Sequence, residues 1–575
     1  METQITREVA PSVWHGWGDP GHARPLGTSA LAFLKSGLGV PDVEPRHGPV
    51  GLDQVQLSPS TLTESGPGAE ALAALRRACG AEHVSTERMA RILHAGGKST
   101  PDLLRRRGGD ALDAPDAVVF PDGDEEVRAV LAACAQHRLA VTPFGGGTSV
   151  VGGVEPHREG FTGTVTLDLG RMDRLLSLDP VSRTATFEAG IRGPALEAAL
   201  AQHGFTLGHL PQSHQQATLG GYLATRSAGQ ASTGYGRSDE LVSSVHLETP
   251  AGPWDAGRDA PGTAAGPDLL HLAVGSEGVL GVITSATMRI APVAEHHAHG
   301  AWSFPSFAAG VEALRLLRHE GHPGDLPQVC RLSDADETFS TLRQGGWKTS
   351  ALASYLRTRG QQTPALALFV WEGSAEDTRR SRRRSTRILQ SAGGVPVGPL
   401  PAKAWEHGRF SGPYLRDELL TRGIYVETLE TATTWARMDQ TYRQVREAIH
   451  GAVRDGGGTP FVLTHVSHVY PDGASLYFTT LAGLEQDPLA QNARIKAAAS
   501  RAIMDAGATI THHHAIGRDH APYLQEEIGA LGIQVLRSVK DTLDPVGIMN
   551  PGALIPAPSA NANANANVHT TEDNA

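Results

Sequence analysis

The chain has 575 residues, a formal net charge of −11 at pH 7 and an apolar content of 40%. That much apolar surface excludes wholesale disorder, and the negative charge argues against a protein that coats nucleic acid. No run of about 18 apolar residues predicts a membrane span, and the N-terminal segment shows no signal-peptide pattern. Because Cys79, Cys134 and Cys330 are far apart and form no CxxC pair, we expect no disulfide scaffold and a cytoplasmic location.

The elements predicted along the chain begin with a mixture of loops and helices over residues 1–110. Helical and alternating apolar spacing then indicates a β-α-β unit followed by further strands, which describes an α+β domain. The individual elements are a helix at Glu70–Cys79, a strand at Ala117–Phe120, a helix from Asp124 to His137, and strands at Leu139–Thr142, Gly163–Leu169 and Thr184–Glu188.

The C-terminal half alternates helical and strand-like segments. The basic run Arg379–Arg387 is interpreted as the solvated face of a helix, and further helices are predicted at Ala493–Ala506 and Tyr523–Thr542. The last residues are low in complexity and carry too little apolar surface to fold. The predicted division is an N-terminal region (1–110), an α+β domain (111–294), a cap domain (295–500), a C-terminal segment (501–555) and a disordered tail (556–575).

Three consecutive glycines, Gly145–Gly147, lie between predicted strands and precede Thr148 and Ser149. Glycines let backbone N–H groups converge on an anion, because no Cβ blocks the approach. The run fits neither GxGxxG nor GxxxxGK[ST], so it supports neither the Rossmann fingerprint nor the P-loop. By itself the run is more typical of a plain tight turn. Three later segments strengthen the interpretation of the run as an anion-binding loop. They read PQSHQQAT (211–218), ATRS (224–227) and GSEGVLGVIT (275–284).

The most unusual run is His512–His514, well inside the chain. Neighbouring side chains on an extended backbone point to opposite faces, so at most two of the three share a pocket. Imidazoles bind metals, shuttle protons or, when protonated, hold phosphate, and the sequence by itself leaves these roles and a plain surface run open. Tyr470, beside a Pro-Asp-Gly turn, is by itself more typical of a turn residue. Arg331 and Arg416 are by themselves typical of surface or ion-pair arginines.

Four segments in order, PDAVVFPDGDEEV, PFGGGTSVVGG, ATLGGYLATRSAGQ and GSEGVLGVIT, resemble the FAD-binding domain of the vanillyl-alcohol-oxidase or PCMH-type flavoproteins. Within that superfamily, SHVYPDGASLYF and THHHAIG make the chain similar to the alkyldihydroxyacetonephosphate synthase (alkylglycerone-phosphate synthase) family, from WHGWGDP to LDPVGIMNPG. The resemblance implies an α+β fold with a two-part PCMH-type FAD-binding domain, an α/β cap domain and a C-terminal segment that returns to the FAD-binding domain.

The resemblance implies FAD as the cofactor. Because no histidine occurs in the GGGTS loop, we expect noncovalent attachment. The residues that the resemblance assigns to FAD are Pro143, Phe144, Gly145, Gly146, Gly147, Thr148, Ser149, Pro211, Gln212, Ser213, His214, Gln215, Gln216, Ala217, Ala224, Thr225, Arg226, Ser227, Glu277, Gly278, Val279, Leu280, Gly281, Val282 and Ile283. The first loop is implied to hold the pyrophosphate.

The resemblance also assigns roles outside the FAD segments. It implies catalytic roles for Tyr470, His512, His513, His514 and Arg331, substrate binding by Arg416, and structural support from Glu430 and Trp435. Tyr470 is implied to be the proton donor and acceptor. A phenol with an ordinary pKa near ~10 needs positive charge or hydrogen bonds nearby to act as a base, so we expect arginines and histidines around it.

The implied reaction exchanges the acyl group of acyl-dihydroxyacetone phosphate for a fatty alcohol, a step of ether-lipid synthesis, through an adduct on flavin N5 and without net redox change. The alternative is an FAD-linked dehydrogenase or oxidase of a 2-hydroxy acid such as D-lactate or glycolate. Such enzymes have GHxGDGNxH-like and GEHGIG-like segments, which His468 and His514 match, whereas Tyr477 and His513 replace a histidine and a glutamate. These replacements argue against their divalent-metal site, so no metal is expected.

A flavin-binding protein without activity is a third interpretation, which the retained tyrosine, histidines and arginines disfavour. The expected partner is a small molecule, either a phosphorylated lipid precursor or a 2-hydroxy acid, and not nucleic acid. Peripheral contact with a membrane and a homodimer both stay open at this point.

Overall fold

The computed structural model of the chain describes residues 13–22, 25–40, 43–45, 47–321, 326–344 and 354–556. The start of the predicted N-terminal region and nearly all of the predicted tail lie outside the described residues. The predicted domain limits stay predictions. Within the described residues the strands form sheets of four, five, two and seven strands.

The four-stranded sheet contains the predicted β-α-β unit. Its strands, in spatial order, are Val84–Ser85, Ala117–Val119, Gly163–Asp168 and Leu139–Phe144, of which the last three are parallel. The helix Asp124–His137 connects two of these strands and buries Val127, Val130, Leu131 and Cys134. This spacing of apolar residues lines one helical face, which is why the helix covers the sheet as predicted.

The five-stranded sheet is antiparallel throughout. Its strands, in spatial order, are Leu175–Asp179, Thr184–Glu188, Val282–Arg289, Val242–Thr249 and Gly252–Gly257, and a short pair joins Phe205–Thr206 to Ala291–Pro292. Its buried residues and those of the four-stranded sheet share one hydrophobic core. The two sheets are therefore the two parts of the predicted FAD-binding domain.

The seven-stranded sheet is also antiparallel and carries the predicted cap. Its strands, in spatial order, are Val395–Gly398, His296–Phe304, Ala365–Gly373, Val329–Ser333, Phe461–Val466, Gly473–Gly483 and Ile424–Thr434. The long helices Met438–Asp455 and Pro488–Asp505 pack on it and complete a second core. This arrangement confirms the predicted α+β fold with a separate cap.

The remaining helices connect the strands or cover the sheets. The α-helices are Thr28–Gly37, Ala69–Cys79, Arg88–Leu93, Thr100–Arg107, Gly193–Ala201, Leu219–Ala224, Ser232–Tyr235, Ser238–Leu241, Leu270–Ala273, Phe307–Glu320, Ala335–Gln344, Ala375–Ser391, Leu400–Gly408, Gly412–Thr421 and Leu524–Leu543. Short 3-10 turns lie at Pro20–His22, Leu52–Gln54, Ala81–His83, Trp435–Arg437 and Ala521–Tyr523. Among the described residues, no helix combines the length and the apolar character that crossing a membrane requires.

The C-terminal segment returns to the FAD-binding domain, as predicted. The backbone N–H of Val141 donates to Ile548 O, and that of Asn550 donates to Val141 O. The Asn550 side-chain amide donates to the carbonyl oxygens of Gly153 and Glu277 at 2.9 and 2.7 Å. The backbone N–H groups of Ile516 and Gly517, just after the histidine run, donate to the Glu277 carboxylate at 2.8 and 2.7 Å and hold that run against the FAD-binding domain.

Candidate active site

A cavity of about 560 Å³, named here the main cavity, lies between the FAD-binding domain and the cap sheet. Its wall on the FAD-binding side consists mostly of residues that the sequence assigned to the cofactor. The predicted residues that line it are Pro143–Ser149, Pro211–Ser213, Ala217, Ala224, Thr225, Ser227, Glu277, Gly278 and Gly281–Ile283. The structure therefore brings segments from distant parts of the sequence to one surface.

The glycine loop is a cradle of free backbone donors. Within the part of the chain that the structure describes, the N–H groups of Gly145–Ser149 donate no hydrogen bond. A Cβ on Gly146 would lie 2.0 Å from the carbonyl oxygen of Gln216, and one on Gly145 would lie 2.2 Å from Thr218 Oγ1. Only glycine permits this close packing of two loops. Unpaired N–H groups at a cavity wall fit the phosphates of a dinucleotide, so the site is compatible with FAD.

Several residues assigned to the cofactor do not line the main cavity, and their assignment stays a prediction. They are His214, Gln215, Gln216, Arg226, Val279 and Leu280. The imidazole of His214 stacks on Phe410, and the Arg226 guanidinium donates to the carbonyl oxygens of Val274 and His271. Segments were predicted as continuous blocks, whereas a turn or a strand presents only some of its residues to one side.

The opposite wall contains both predicted arginines. Arg416 donates through Nη1 to Lys98 O at 2.6 Å, whereas its Nε and Nη2 atoms are buried without a hydrogen-bond partner among the described residues. Arg331 donates through Nη2 to Glu337 at 2.6 Å and contacts Nδ1 of His465 at 3.0 Å. Arg331 is thus already paired with Glu337 and His465, whereas Arg416, whose Nε lies 3.9 Å from Asp417 Oδ1, has donors without a hydrogen-bond partner.

The histidine run winds around one buried carboxylate. Glu430 accepts hydrogen bonds from the backbone N–H groups of His512, His513 and His514 at 2.7, 3.0 and 2.8 Å. Burial would raise the pKa of Glu430, but the neighbouring His513 holds it well below its usual range. This curved backbone replaces the extended one that we expected. It places the adjacent His513 and His514 at the main cavity and His512 in a second cavity.

The two tyrosines of SHVYPDGASLYF also lie in different cavities. Tyr470, the predicted proton donor and acceptor, lines the second cavity and is joined to His512 Nε2 at 2.5 Å. Tyr477 lines the main cavity, where its ring stacks between those of His465 and His513 at centroid distances of 4.9 and 6.0 Å. The expected arginine and histidine neighbours are present at both, and both cavities are lined in part by the FAD segments, the second one by Thr225, Arg226 and Glu277.

Burial sets the protonation of these groups. It lowers the pKa of His468 and of His514 to about 3 each, so both imidazoles are neutral near pH 7. It raises the pKa of Tyr477 to about 12, so the phenol keeps its proton. Ring nitrogens of His468, His512 and His513 lie within 4.8 Å of one another, but hydrogen bonds to one another, Tyr470 and Gly229 engage most of them.

The polarity of the cap wall changes along two adjacent strands. Residues on one face of a strand recur with a period of two, and successive cross-strand pairs on this face are Glu430 with Tyr477, Thr428 with Thr479 and Val426 with Leu481. All except Glu430 line the main cavity, and Leu415, Leu419 and Leu463 extend its apolar end. The cavity thus has a charged end, a hydroxyl-bearing middle and an apolar end.

Comparison with known proteins identifies the family. The chain is 31% identical to alkyldihydroxyacetonephosphate synthase of Dictyostelium discoideum, with 94% of this chain and 93% of that protein covered. The chain belongs to the alkyldihydroxyacetonephosphate synthase family. A family member from Trypanosoma brucei brucei is 30% identical over 96% of this chain and 94% of its own. A solved alkyldihydroxyacetonephosphate synthase structure superposes with a TM-score of 0.80 at 29% identity, covering 94% of this chain and 98% of that one.

Two family models divide the chain as the fold does. Residues 115–254 match the FAD binding domain, and residues 293–554 match the C-terminal domain of FAD linked oxidases. These matches confirm FAD as the cofactor and the protein as an enzyme of the synthase family. The alternative, a 2-hydroxy-acid oxidoreductase, is less supported, because the relatives that cover nearly the whole chain are synthases.

Sequence reasoning missed part of the main cavity. Trp17 and Gln230 line it, and so do the apolar residues of the cap. The backbone N–H of Trp17 donates to Asp417, the neighbour of Arg416 in the chain. Trp17 lies in the WHGWGDP segment that carried the resemblance, which was the available signal. Nothing local marked Gln230.

Proposed function

We propose that this enzyme exchanges the acyl group of acyl-dihydroxyacetone phosphate for a fatty alcohol, releasing a fatty acid and forming the alkyl ether. One observation carries this proposal: a single cavity joins the glycine cradle to a wall that changes from arginine and histidine to apolar side chains. A substrate with a phosphorylated head and a long hydrocarbon chain matches that change. A small 2-hydroxy acid leaves the apolar end without a use.

FAD would be held noncovalently by the free N–H groups of Gly145–Ser149 and by the segments near Ser213, Thr225 and Gly278. The bound flavin supplies an electron sink next to the substrate. The chain's own residues bind the substrate, orient it and move its protons.

Arg416 is proposed to bind the phosphate. Two nitrogen atoms of its guanidinium have no hydrogen-bond partner among the described residues, although Nε lies 3.9 Å from Asp417 Oδ1, and Lys98 O fixes the third. A planar guanidinium binds phosphate bidentately and stays charged at all relevant pH values. Arg331 is proposed to hold His465 and Glu337 in place beside the substrate.

Proton transfer at the substrate is proposed for His513, with Tyr477 as the hydrogen-bond donor beside it. Both residues line the main cavity, and their rings are stacked. Burial raises the pKa of Tyr477 to about 12, which suits a donor at neutral pH better than a base. Tyr470, to which the sequence analysis gave the role of proton donor and acceptor, lies 2.5 Å from His512 Nε2 in the adjoining cavity and also keeps that role in the proposal, and His514 supports these groups as a neutral imidazole.

The test is a substrate screen with purified, FAD-loaded protein. Acyl-dihydroxyacetone phosphate should change the flavin absorbance without an electron acceptor, and adding a fatty alcohol should yield ether product and free fatty acid in equal amounts. Bleaching by D-lactate or glycolate, with reoxidation that depends on an acceptor, would instead establish the oxidoreductase. Protein that cannot be reconstituted with FAD would contradict both functions.

We further propose a cytoplasmic enzyme that meets its lipid substrate at a membrane surface and that forms a homodimer. Three buried free thiols, Cys79, Cys134 and Cys330, suit a reducing compartment, and the long acyl chain requires delivery from a lipid phase. Flotation with phospholipid vesicles and sedimentation of the pure protein test these two points.

A further inference from the structure

Residues Val13–Gly18, named here the tryptophan segment, pack closely against the helix Gly412–Thr421, which carries the substrate-binding arginine. The backbone N–H of Trp17 donates to Asp417 Oδ2 at 2.6 Å, while the Trp17 side chain belongs to a residue that lines the main cavity. A Cβ on Gly16 would lie 2.7 Å from the same carboxylate oxygen. The segment therefore contacts this helix at the residue that follows Arg416.

Lys98 joins the tryptophan segment to two other parts of the site. Its Nζ donates to Val13 O and Gly16 O at 2.9 and 2.7 Å. Its backbone N–H donates at 2.7 Å to the carbonyl oxygen of Ser149, in the glycine loop. Its backbone carbonyl accepts the 2.6 Å hydrogen bond from Arg416 Nη1. One residue thus connects the segment, the glycine loop and the substrate-binding arginine.

The side chain of Lys98 is committed to these contacts. Lys98 is 5% exposed, and burial, together with the neighbouring Arg106, lowers the pKa of its amine well below the usual value. Both charge states of the amine carry at least two N–H groups, so either can donate to both carbonyl oxygens. Among the described residues, Val13 O and Gly16 O accept from no other donor. Removing the amine would leave both carbonyls unpaired and release the segment.

The contact with Trp17 also determines where the Asp417 carboxylate lies. Asp417 Oδ1 is 3.9 Å from Arg416 Nε, which is longer than a hydrogen bond, and both atoms are buried without a hydrogen-bond partner among the described residues. A carboxylate released by Trp17 could turn to the guanidinium and form a charge-assisted hydrogen bond. That bond would occupy a donor that the phosphate requires.

We propose that the tryptophan segment, held by Lys98, keeps the Asp417 carboxylate away from Arg416 and so leaves that guanidinium free for the phosphate of the substrate. Lys98 and Asp417 are positioning residues, since neither lines the main cavity. Their effect is on the recognition of a phosphomonoester, not on the chemical step. This inference rests on the proposed function, which assigns the phosphate to Arg416.

Lys98→Met in the full-length, FAD-loaded enzyme tests the proposal. We expect KM for acyl-dihydroxyacetone phosphate to rise about tenfold, because a carboxylate now competes for the guanidinium. The kcat value and the flavin content should stay unchanged. Dihydroxyacetone phosphate, titrated by calorimetry, should bind more weakly by the same factor. The control is Lys403→Met, which changes an exposed lysine on the helix Leu400–Gly408 and should behave like the wild type.

A second substitution separates this role from a loss of structure. Adding Asp417→Asn to Lys98→Met should recover most of the lost affinity, because an amide carries no charge to compete with the phosphate. Gly16→Ala provides an independent variant, since its Cβ displaces the Asp417 oxygen without removing a polar group. It should show the same rise in KM and the same recovery. Gly27→Ala, where the added Cβ meets no atom within 4 Å, is its control.

A wild-type KM in both Lys98→Met and Gly16→Ala would overturn the proposal. A rise in KM that Asp417→Asn does not recover would also overturn it, because the loss would then come from the structure alone. If Lys98→Met does not fold, Gly16→Ala and its recovery decide the question. A wild-type enzyme that neither binds dihydroxyacetone phosphate nor converts the acyl substrate would contradict the proposed function instead, so the two failures are distinguishable.

Discussion

The two walls of the main cavity are built in different ways. The FAD-binding wall presents backbone N–H groups from a loop whose glycines are required by close packing. The cap wall presents side chains, such as Arg416, Tyr477 and His513, which come from a helix, a strand and a C-terminal loop. A backbone wall fits the phosphates of the cofactor, which do not change with the substrate. In a wall built from side chains, single substitutions can change which substrate is bound.

Gly146→Ala should have the largest effect, because it changes the backbone wall. Its Cβ would lie 2.0 Å from a backbone carbonyl oxygen that cannot rotate away. We expect protein purified without visible flavin absorbance and a free energy of unfolding lower by about 3 kcal/mol. Gly451→Ala, at a helical position with no atom within 4 Å of the added Cβ, is the control. Full FAD binding in Gly146→Ala would show that the loop is not the cradle.

Arg416→Met should do the opposite, leaving flavin binding intact while weakening substrate binding. Removing a guanidinium that binds a phosphate costs about 2 to 3 kcal/mol, so KM for the acyl substrate should rise roughly 30- to 150-fold. Steady-state kinetics and the flavin content together measure both properties. The control is Arg422→Met, since Arg422 bonds Glu418 and Val43 O away from the cavity. An unchanged KM in Arg416→Met would assign the phosphate to another group.

The difference between the two walls of the main cavity also explains which parts of the structure the sequence could predict. The helix Asp124–His137 and the strand Thr184–Glu188 appear with their predicted bounds, because local apolar spacing determines both. The helix predicted at Ala493–Ala506 actually begins at Pro488, after the N-cap Asp487. An aspartate followed by proline was an available start signal.

The cap wall could not be predicted in this way. Tyr470 and Tyr477 lie on either side of one turn, and only the register that pairs Tyr477 with Glu430 shows which of them faces the main cavity. Period-two spacing from Tyr477 through Thr479 to Leu481 was a usable signal, but it required knowing the partner strand. The histidine run likewise depends on a carboxylate more than 80 residues earlier in the chain.

The cap wall should also make the free energy of unfolding sensitive to acid, because it contains buried histidines, which a wall of backbone groups lacks. Burial lowers the pKa of His514 to about 3 in the folded chain, against about 6.5 when unfolded. As pH falls from 7 to 5 the unfolded chain binds a proton there and the folded chain does not, so the free energy of unfolding drops by about 2 kcal/mol. In His514→Asn this contribution should disappear from urea-unfolding curves at the two pH values, while flavin stays bound. Equal losses in both proteins would contradict the buried, neutral state of His514.

The smallest expected effect comes from substitutions that exchange polar and apolar side chains along the cap wall. Val426→Thr places a hydroxyl at the apolar end without changing the shape of the side chain, and an unpaired buried hydroxyl costs about 1 kcal/mol or more. KM should rise about fivefold for a substrate with a long acyl chain and stay unchanged for a butyryl substrate, which does not reach that end. Thr479→Val, the reciprocal change one cross-strand pair away, should lower KM for the long chain instead. If both chain lengths respond equally in both variants, the apolar end does not bind the acyl chain, and the polarity change along the two strands is a feature of packing alone.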